Sequence, residues 1–524
     1  MKKISFLSNT ITNSFGKYLK AYDIIYFDLD TIIEKLNSKI ESDYLIILLD
    51  NKFYFENFIN KESFENIELL EGLLLNFRKE NSCKILLSNI TSSFIDINST
   101  LNIDEYCKLI LLNQKIEKLS GNISDLAIIN IYHLSMKYGV ENLINLKNSF
   151  LFQTPYTKFA FEKISNEIIK NINLFEVKRK KVIVLDADNT LWGGIVGEDG
   201  VDGIFCDENY PGVIYRYFQN QIKALKESGL ILCLVSKNNY QDAKEAFDEK
   251  NMPLQWEDFV IKKVNWLPKS QNIKSIADEL NVGIDSLIFF DDNEFELAEV
   301  EELYPSVECI KIDKDNPIIN LNLIENLLSL HSLKITDEDK DKTNQYLAEQ
   351  QRSSSFKDSQ GIDSFIEKLN IKIIYWINNS NHLARVTQLI NKTNQFNLTT
   401  QRYTQNDVER LMSSQKVFSF KVEDRFGDMG IVGIIIVIDN KIDTFLLSCR
   451  VLGRGIEDKI ISTVINESKD GLTATYIRSP KNMQVENLYE KFGFEIINES
   501  KDRKEYKFKN KFKTREFIKV IKGK

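Results

Sequence analysis

The chain has 524 residues, of which 43% are hydrophobic and 27% are charged, and its formal net charge at pH 7 is −8. A single core rarely grows beyond about 250–300 residues, so we expect two to four domains of ordinary globular composition. The acidic balance argues against a general nucleic-acid-binding protein, which would carry a basic surface.

Neither a membrane-spanning segment nor a disulfide framework is expected. No apolar run reaches the roughly 20 residues of a transmembrane helix, and the apolar stretch after the basic start is too short for a signal peptide. The six cysteines are scattered without a Cys-x-x-Cys pair, which is typical of reduced thiols. We therefore expect a cytoplasmic protein with no membrane partner.

The first 150 residues alternate short apolar runs with amphipathic stretches. The runs predict strands at 4–7, 24–27, 44–49 and 84–87, and the spacing within 63–80 predicts a helix. This alternation is typical of a parallel, flavodoxin-like α/β domain. Ser8-Asn9 and Ser88-Asn89 follow two of the strands, at the sheet edge where such folds bind ligands.

This arrangement is similar to the SGNH-hydrolase-like family, and we expect such a domain over residues 1–170. An active esterase of that family needs a Gly-Asp-Ser block, which is absent, and a late Asp-x-x-His. Asn130 stands three residues before His133, the only histidine of this region. A serine without a base is a weak nucleophile, so we expect a structural or partner-binding role, with a degenerate esterase site as the alternative. The polar, basic residues 170–181 predict a linker.

The strongest signal begins at Val182. Val182–Leu185 is a short, mostly β-branched run that suits a strand buried on both faces of a parallel sheet. It ends in Asp186-Ala187-Asp188-Asn189-Thr190, which places two carboxylates at the ligand-binding edge of such a sheet. Four glycines within 193–200 are typical of a loop that turns sharply close to a substrate. Taken alone, the pattern also fits a strand followed by an acidic turn.

Three further polar clusters follow in order. The apolar run 230–235 predicts a strand that ends in Ser236-Lys237-Asn238-Asn239, and Pro268 precedes Lys269 at the predicted start of a helix. The run 287–290 predicts another strand, ending in Asp291-Asp292. Each cluster could by itself be an ordinary turn, helix start or solvated loop. Four such clusters in sequence favour a single site.

In this order the clusters resemble motifs I to IV of the haloacid dehalogenase (HAD) superfamily of phosphoryl-transfer enzymes. The resemblance implies a Rossmann-like domain, which we place at residues 178–335. It also implies that Asp186 attacks phosphorus and that Asp188 is the general acid/base. Ser236 and Lys269 would bind the phosphoryl oxygens.

The same resemblance implies a Mg²⁺ cofactor, since this hard cation prefers oxygen ligands. Asp186 and Asp291 would supply carboxylates and Asp188 its backbone carbonyl, with Asp292 as a further candidate. Only about 45 residues separate motif I from motif II, and about 30 separate motif II from motif III, too few for a lid domain of ordinary size. We therefore expect a capless site that suits macromolecular substrates.

The C-terminal third carries two more resemblances. Strands are predicted at 417–422, 430–438 and 444–448. Arg450, Gly453 and Gly455 then form an Arg-x-x-Gly-x-Gly pattern at a strand-to-helix junction, which offers backbone N–H groups to a pyrophosphate. This resembles the coenzyme-binding loop of GNAT acyltransferases, and the tail around Tyr489 resembles their closing motif, whose tyrosine protonates the leaving thiolate.

We accordingly expect a GNAT-like α+β domain at residues 345–524 that binds the phosphopantetheine arm of a carrier protein. Cys449, beside the loop, is a candidate thiol for a transient acyl-enzyme, because a nearby arginine and a helix N-terminus would lower its pKa. A small buried residue at the end of a strand is the alternative for this cysteine.

Two segments narrow the resemblance to the FkbH-like branch of the HAD superfamily: the extension from Leu191 to Gly200, and the amide-rich block at 391–404. In that branch a cysteine often precedes the Ser-Lys-Asn triplet, whereas Val235 stands here. The resemblance implies loading of a glyceryl or related acyl unit from an acyl phosphate, such as 1,3-bisphosphoglycerate, onto an acyl carrier protein. The alternatives are a Mg²⁺-dependent phosphatase acting on a sugar or metabolite, and a non-catalytic assembly protein.

Overall fold

The computed structural model describes residues 1–29, 31–50, 53–54, 65–91, 103–333, 346, 348, 352, 362–393, 396–448, 451–510 and 512–523. It divides into two compact units. The first comprises Met1–Lys180 with Asp315–Ile335, and the second comprises Lys181–Lys314 with Thr336–Lys524. Among the described residues, no helix combines the length and the apolar character that crossing a bilayer requires.

The first unit contains a parallel five-stranded sheet in the order β2-β1-β3-β4-β5. Its strands are β1 (Lys2–Ser8), β2 (Tyr22–Tyr26), β3 (Tyr44–Leu48), β4 (Lys84–Ser88) and β5 (Leu126–Ile129). Its helices are α1 (Ile32–Leu36), α2 (Glu65–Glu80), α3 (Ile103–Asn122), α4 (Ile131–Tyr138), α5 (Val140–Leu143), α6 (Leu146–Phe152), α7 (Lys158–Glu176) and the short helix Leu323–Asn326. Short 3-10 helices lie at Asn13–Lys17, Pro317–Asn322 and Leu328–Leu330.

Helices cover both faces of this sheet. In β3, Leu45 and Ile47 belong to one buried core, while Tyr44 and Ile46 belong to a second core on the opposite face. Each of the four predicted N-terminal strands lies within two residues of an observed one, and the predicted α/β fold is confirmed for this unit.

The predicted linker at 170–181 is wrong in its first half. Residues up to Glu176 continue α7, and only 177–181 lie between α7 and the next strand. The helix is stabilised here because Ile164, Ile168 and Ile172, spaced four residues apart, are buried in the core on one face of the sheet. The linker was predicted from polar composition, which does not reveal the apolar residues that one side of the helix buries.

The second unit contains a central parallel sheet in the order β10-β9-β6-β7-β8. Its strands are β6 (Val182–Leu185), β7 (Ile231–Ser236), β8 (Phe259–Val264), β9 (Leu287–Asp291) and β10 (Glu308–Lys311). Its helices are α8 (Val196–Gly203), α9 (Gly212–Glu227), α10 (Tyr240–Glu249), α11 (Lys269–Glu279) and α12 (Glu294–Leu303), with 3-10 helices at Trp256–Asp258 and Ile284–Ser286.

The strand order places β6 at a topological switch point. From β6 the chain proceeds to β7 and β8 on one side, then returns to β9 and β10 on the other. In open α/β sheets, ligands bind at the carboxyl ends of strands beside such a point. Between β6 and β8 the chain forms only α8, α9, α10 and a 3-10 helix, so no separate domain is inserted within residues 186–258.

The second unit also contains an eight-stranded mixed sheet, in the order β16-β17-β15-β14-β13-β12-β11-β18. Its strands are β11 (Lys372–Ile377), β12 (Lys416–Asp424), β13 (Gly427–Ile438), β14 (Lys441–Leu447), β15 (Thr473–Ile477), β16 (Phe494–Glu499), β17 (Arg503–Phe508) and β18 (Lys519–Lys522). The accompanying helices are α13 (Ile362–Lys368), α14 (Leu383–Lys392), α15 (Gln405–Ser414), α16 (Ile456–Asn466) and α17 (Leu488–Lys491), with 3-10 helices at Ser380–His382 and Met483–Val485. Membership of the GNAT family stays a prediction.

Candidate active site

The four predicted clusters meet at one edge of the central sheet. Asp186 follows β6 directly, Ser236 ends β7 and Asp291 ends β9. Because β6 lies between β7 and β9 and all three are parallel, their carboxyl ends share that edge. Lys269 begins α11 immediately after Pro268 and completes the group. The sequence therefore predicted the residues that come together.

Lys269 is the central cation of this group. Its Nζ lies 2.8 Å from Asp186 Oδ1 and 2.6 Å from Asp291 Oδ2, and its side chain is only 5% exposed. Burial disfavours the ammonium, but the two carboxylates outweigh it and raise the pKa of Lys269 above its ordinary value. Burial raises the pKa of Asp186 and of Asp291, while Lys269 acts in the opposite direction on both carboxyls.

Three carboxylates offer a site for a cation. Asp186, Asp291 and Asp292 each supply an oxygen, and these oxygens all lie within 4.8 Å of one another. Lys314 Nζ lies 2.9 Å from Asp292 Oδ2, so two lysines face three carboxylates. With all carboxylates ionised, one negative charge remains. An oxygen-only donor set with a net negative charge fits Mg²⁺.

Asp188 contributes no side-chain oxygen to that cluster. Its Oδ1 accepts hydrogen bonds from Trp192 Nε1 at 2.9 Å and from Val196 N at 3.0 Å. Its Oδ2 accepts one from Asn238 Nδ2 at 2.8 Å. The Asp188 carboxylate thereby holds the loop between Trp192 and Val196, which we call the flap, close to the sheet edge. Trp192 is fully buried and packs edge-on against Phe247.

Asn238 connects two of the predicted residues and was not itself assigned a role from the sequence. Its Nδ2 donates to Asp188 Oδ2 and also to Ser236 Oγ at 2.9 Å, and Asn238 is 4% exposed. Since Ser236 Oγ accepts this bond, its own O–H can donate to a phosphoryl oxygen. Asn238 belongs to the polar cluster after β7, so its position at the end of that strand could have identified it as a site residue from the sequence.

Among the residues predicted to bind a coenzyme, the structure describes Gly453, Gly455 and Tyr489. Cys449 and Arg450 lie outside the described residues. Gly453 and Gly455 both adopt positive φ, at 77° and 75°, and Gly455 is the N-cap of α16. Burial raises the pKa of Glu457, in the first turn of α16, and the backbone amide of Gly453 acts in the opposite direction. A carboxylate therefore lies close to one of the amides predicted to bind a pyrophosphate.

Tyr489 lies inside the C-terminal core. It is 0% exposed, and its ring packs against those of Phe445, Phe494 and Tyr506. Its hydroxyl is buried without a hydrogen-bond partner among the described residues. Burial raises the pKa of Tyr489 well above its ordinary value, so the hydroxyl remains protonated.

The gap between β14 and β15 is filled by the chain itself. These parallel strands pair only at Lys441/Thr473 and Ile442/Ala474, where both begin. Beyond that point Leu398 N donates to Phe445 O at 3.0 Å, and Ile477 N donates to Leu398 O at 2.8 Å. The predicted signature block thus satisfies backbone groups of both strands.

Two buried cysteines of the central domain, Cys206 and Cys233, are poor nucleophiles. Cys206 and Cys233 are buried, and burial raises the pKa of Cys206 to about 11 and that of Cys233 to about 12. A thiolate, not a thiol, is the reactive form. Neither residue is therefore suited to carry an acyl group.

Comparisons with protein-family models and with curated protein sequences gave no match. Among solved structures, the chain is similar to the N-terminal part of the protein BF1531 from Bacteroides fragilis, a crystal structure that contains a phosphatase domain complexed with Mg. The two are 25% identical, the match covers 64% of this chain and 95% of that one, and the TM-score is 0.49. That TM-score is too low to support an inference about function, so function is inferred from the residues of this chain.

Proposed function

We propose that the central domain is a Mg²⁺-dependent phosphoryl-transfer enzyme of the HAD phosphatase type. The arrangement of Lys269 between Asp186 and Asp291 carries the proposal. A buried ammonium paired with two carboxylates, beside a third one, is costly to maintain for stability alone. Phosphoryl transfer, by contrast, requires fixed charges that position and neutralise a phosphate.

The chain's own residues supply the steps. An oxygen of Asp186 attacks phosphorus, so that an O–P bond forms while the bond to the leaving oxygen breaks. Asp188 in its acid form gives that leaving oxygen a proton, and then takes a proton from the water that attacks the aspartyl-phosphate. This second attack releases phosphate and restores Asp186. Ser236 and Lys269 hold the phosphoryl oxygens. A Mg²⁺ ion held by Asp186, Asp291 and Asp292 would neutralise charge on the phosphoryl group.

Phosphate release from an acyl phosphate and from simple phosphomonoesters tests this proposal. We expect turnover to require Mg²⁺ and to fall at least about 10³-fold in Asp186→Asn, which removes the attacking carboxylate. Asp202→Asn, an exposed change in α8, is the matched control and should leave turnover unaltered. Activity that persists in Asp186→Asn with the native fold intact would contradict the assignment.

The finer form of the proposal is loading of a glyceryl or related acyl unit onto an acyl carrier protein. In this form the carrier's thiolate attacks the acyl carbon, so that a C–S bond forms while the C–O bond to phosphate breaks, and phosphate leaves at this site. Asp186 would then serve as a metal ligand and would not attack phosphorus. Two observations favour it over a simple phosphatase. No domain is inserted across residues 186–258, which leaves room for a macromolecular substrate. Cys206 and Cys233 do not offer a thiolate, which agrees with an acceptor thiol on the carrier's phosphopantetheine arm; Cys449, the other candidate thiol, lies outside the described residues.

One experiment distinguishes the loading reaction from a simple phosphatase. The protein is incubated with Mg²⁺, 1,3-bisphosphoglycerate and a holo carrier protein, and the carrier is then analysed by mass spectrometry. Loading predicts that the carrier gains the mass of one glyceryl unit, and that this gain disappears in Asp186→Asn. Release of phosphate without a mass change on the carrier would support the phosphatase and exclude the loading reaction for that carrier.

A further inference from the structure

A cavity of about 320 Å³ opens in the first unit, at the carboxyl edge of its sheet. Asn89, which follows β4, and Asn130, which follows β5, lie side by side because these strands are parallel neighbours. Helix α3 connects the two strands in sequence and forms the facing wall. Such an edge is where open α/β sheets bind ligands, and the volume is at the small end of ligand pockets.

Two different stripes run along α3. Apolar residues at helical spacing are buried in the core: Leu109, Leu112, Ile116 and Leu119. The neighbouring stripe lines the cavity and is mostly polar: Ile110, Asn113, Gln114, Glu117 and Lys118. Its members recur every three or four residues, so they face the same direction. A carboxylate, an ammonium and two carboxamides therefore face the edge of the sheet.

The floor of the cavity is held rigid by carboxamides. Asn89, which is 2% exposed, accepts a hydrogen bond from Tyr132 N at 3.0 Å and donates to Asn130 Oδ1 at 2.8 Å. Asn113 both accepts from and donates to the backbone of Ile90, at 3.0 and 2.8 Å. These bonds fix the loop after β4 before any ligand arrives, which reduces the entropy that binding would cost.

Several polar groups around the cavity have no partner among the described residues. The Asn130 carboxamide accepts bonds from Asn89 and from His133 N, but its NH₂ donates none. Glu117 accepts through Oε1 alone, in a long 3.4 Å bond from Asn89. Gln114 and Lys118 make no hydrogen bond with the part of the chain that the structure describes. Donors and acceptors are thus both available, and the opposite charges of Glu117 and Lys118 leave the lining neutral overall.

We propose that this cavity binds a neutral, polyhydroxylated small molecule, such as a monosaccharide unit, without hydrolysing it. Neighbouring hydroxyl groups pair with carboxamides and carboxylates because each hydroxyl both donates and accepts. Ile110 and the Tyr132 ring supply the apolar contacts that the C–H face of such a ligand needs. A charged ligand would leave either Glu117 or Lys118 beside a like charge.

Hydrolysis is not part of the proposal because the residues for it are engaged elsewhere. Ser8 is 3% exposed, and its Oγ donates to Leu48 O at 2.6 Å. Neither Ser8 nor His133 lines the cavity. The cavity therefore lacks both the serine and the histidine that an esterase reaction there would need.

Ligand-observed NMR and calorimetry on the full chain test the proposal. The probes are D-glucose, D-mannose, D-galactose, N-acetyl-D-glucosamine and glycerol, with acetate and methylammonium as comparisons that each carry a charge of one sign. We expect at least one sugar to bind with Kd on the order of 1 mM or tighter, and neither ion to bind. Gln114→Trp, which fills the cavity from an exposed helix position, should weaken binding by at least about tenfold.

Two further variants separate loss of the site from loss of the fold. Glu117→Ala removes a lining acceptor and should weaken sugar binding, while Lys108→Ala on the same helix, outside the cavity, should not. Thermal melts establish that each variant is folded. The proposal is overturned if no sugar binds, if acetate or methylammonium binds in preference, or if Gln114→Trp and Glu117→Ala bind as tightly as Lys108→Ala. It does not depend on phosphoryl transfer in the central domain.

Discussion

Replacing Lys269 by Met should destabilise the unit that contains it far more than an ordinary lysine substitution. Met has a similar length but no charge, so two carboxylates that lie 2.8 and 2.6 Å from Nζ lose their counter-ion. Removing one partner from a buried ion pair costs about 3–5 kcal/mol, because the remaining charge is left uncompensated. At roughly 2–4 °C per kcal/mol for a domain of this size, the melting temperature should fall by about 6–20 °C.

The loss should depend on pH in a definite direction. Burial raises the pKa of Asp186 and of Asp291 above the ordinary value of 3.8, and Lys269 opposes that rise. An acid whose pKa is raised on folding stabilises the fold below its ordinary pKa, and this stabilisation is lost as pH rises through the folded pKa. Without Lys269 the folded pKa rises further. The variant should therefore lose more stability near pH 8 than near pH 5.

Thermal unfolding followed by circular dichroism, without metal and with added Mg²⁺, measures these effects. Lys274→Met is the matched control, since Lys274 lies in the same helix and pairs with Asp278 on the surface, where a salt bridge contributes at most about 0.5 kcal/mol. Added Mg²⁺ should restore part of the stability of Lys269→Met by supplying positive charge. If Lys269→Met melts like Lys274→Met at both pH values, the buried cation does not compensate two ionised carboxylates.

Two other substitutions test local geometry. Trp192→Phe removes the Nε1–H that donates to Asp188 and leaves a smaller ring at a fully buried position. Turnover should fall about tenfold, as expected for a lost bond to a charged group, and the melting temperature should fall by several degrees. Unaltered turnover in the folded variant would show that the flap contact is not needed. Gly493→Ala should lower the free energy of unfolding by about 2 kcal/mol or more, because the new Cβ would lie 1.9 Å from Asn510 O. Gly471 has a similar positive φ but open space around it, so Gly471→Ala should cost only about 1 kcal/mol. Denaturant unfolding measures both values.

Strands could be predicted from the sequence where a short pattern of residue types was enough to identify them. Val182–Leu185 matches the observed strand at both ends, since an apolar β-branched run bounded by charged residues has few alternative structures. The convergence of Asp186, Ser236 and Asp291 was also predictable, because carboxyl ends of neighbouring parallel strands share an edge. Assigning these residues to one site required only the order in which the four motifs occur along the chain.

Features that depend on contacts between distant segments were not predictable. The hydrogen bond from Asn238 to Asp188 requires that the loops after β6 and β7 lie close together. A pattern of residue types does not predict the distance between two loops. The pairing of Leu398 with both Phe445 and Ile477 is likewise a long-range contact. From sequence alone, the amide-rich block was interpreted only by resemblance.

The charges at the sheet edge imply that cation and phosphate bind cooperatively. Asp186, Asp291 and Asp292 face two lysines, so the ionised site keeps one negative charge and repels a phosphate dianion. A divalent ion reverses that sign, and a bound phosphate in turn supplies further oxygens to the ion. By linkage, each ligand must then raise the affinity for the other by the same factor. A site that needed only the phosphate would dispense with Asp292, whose carboxylate would otherwise only offset the positive charge of Lys314.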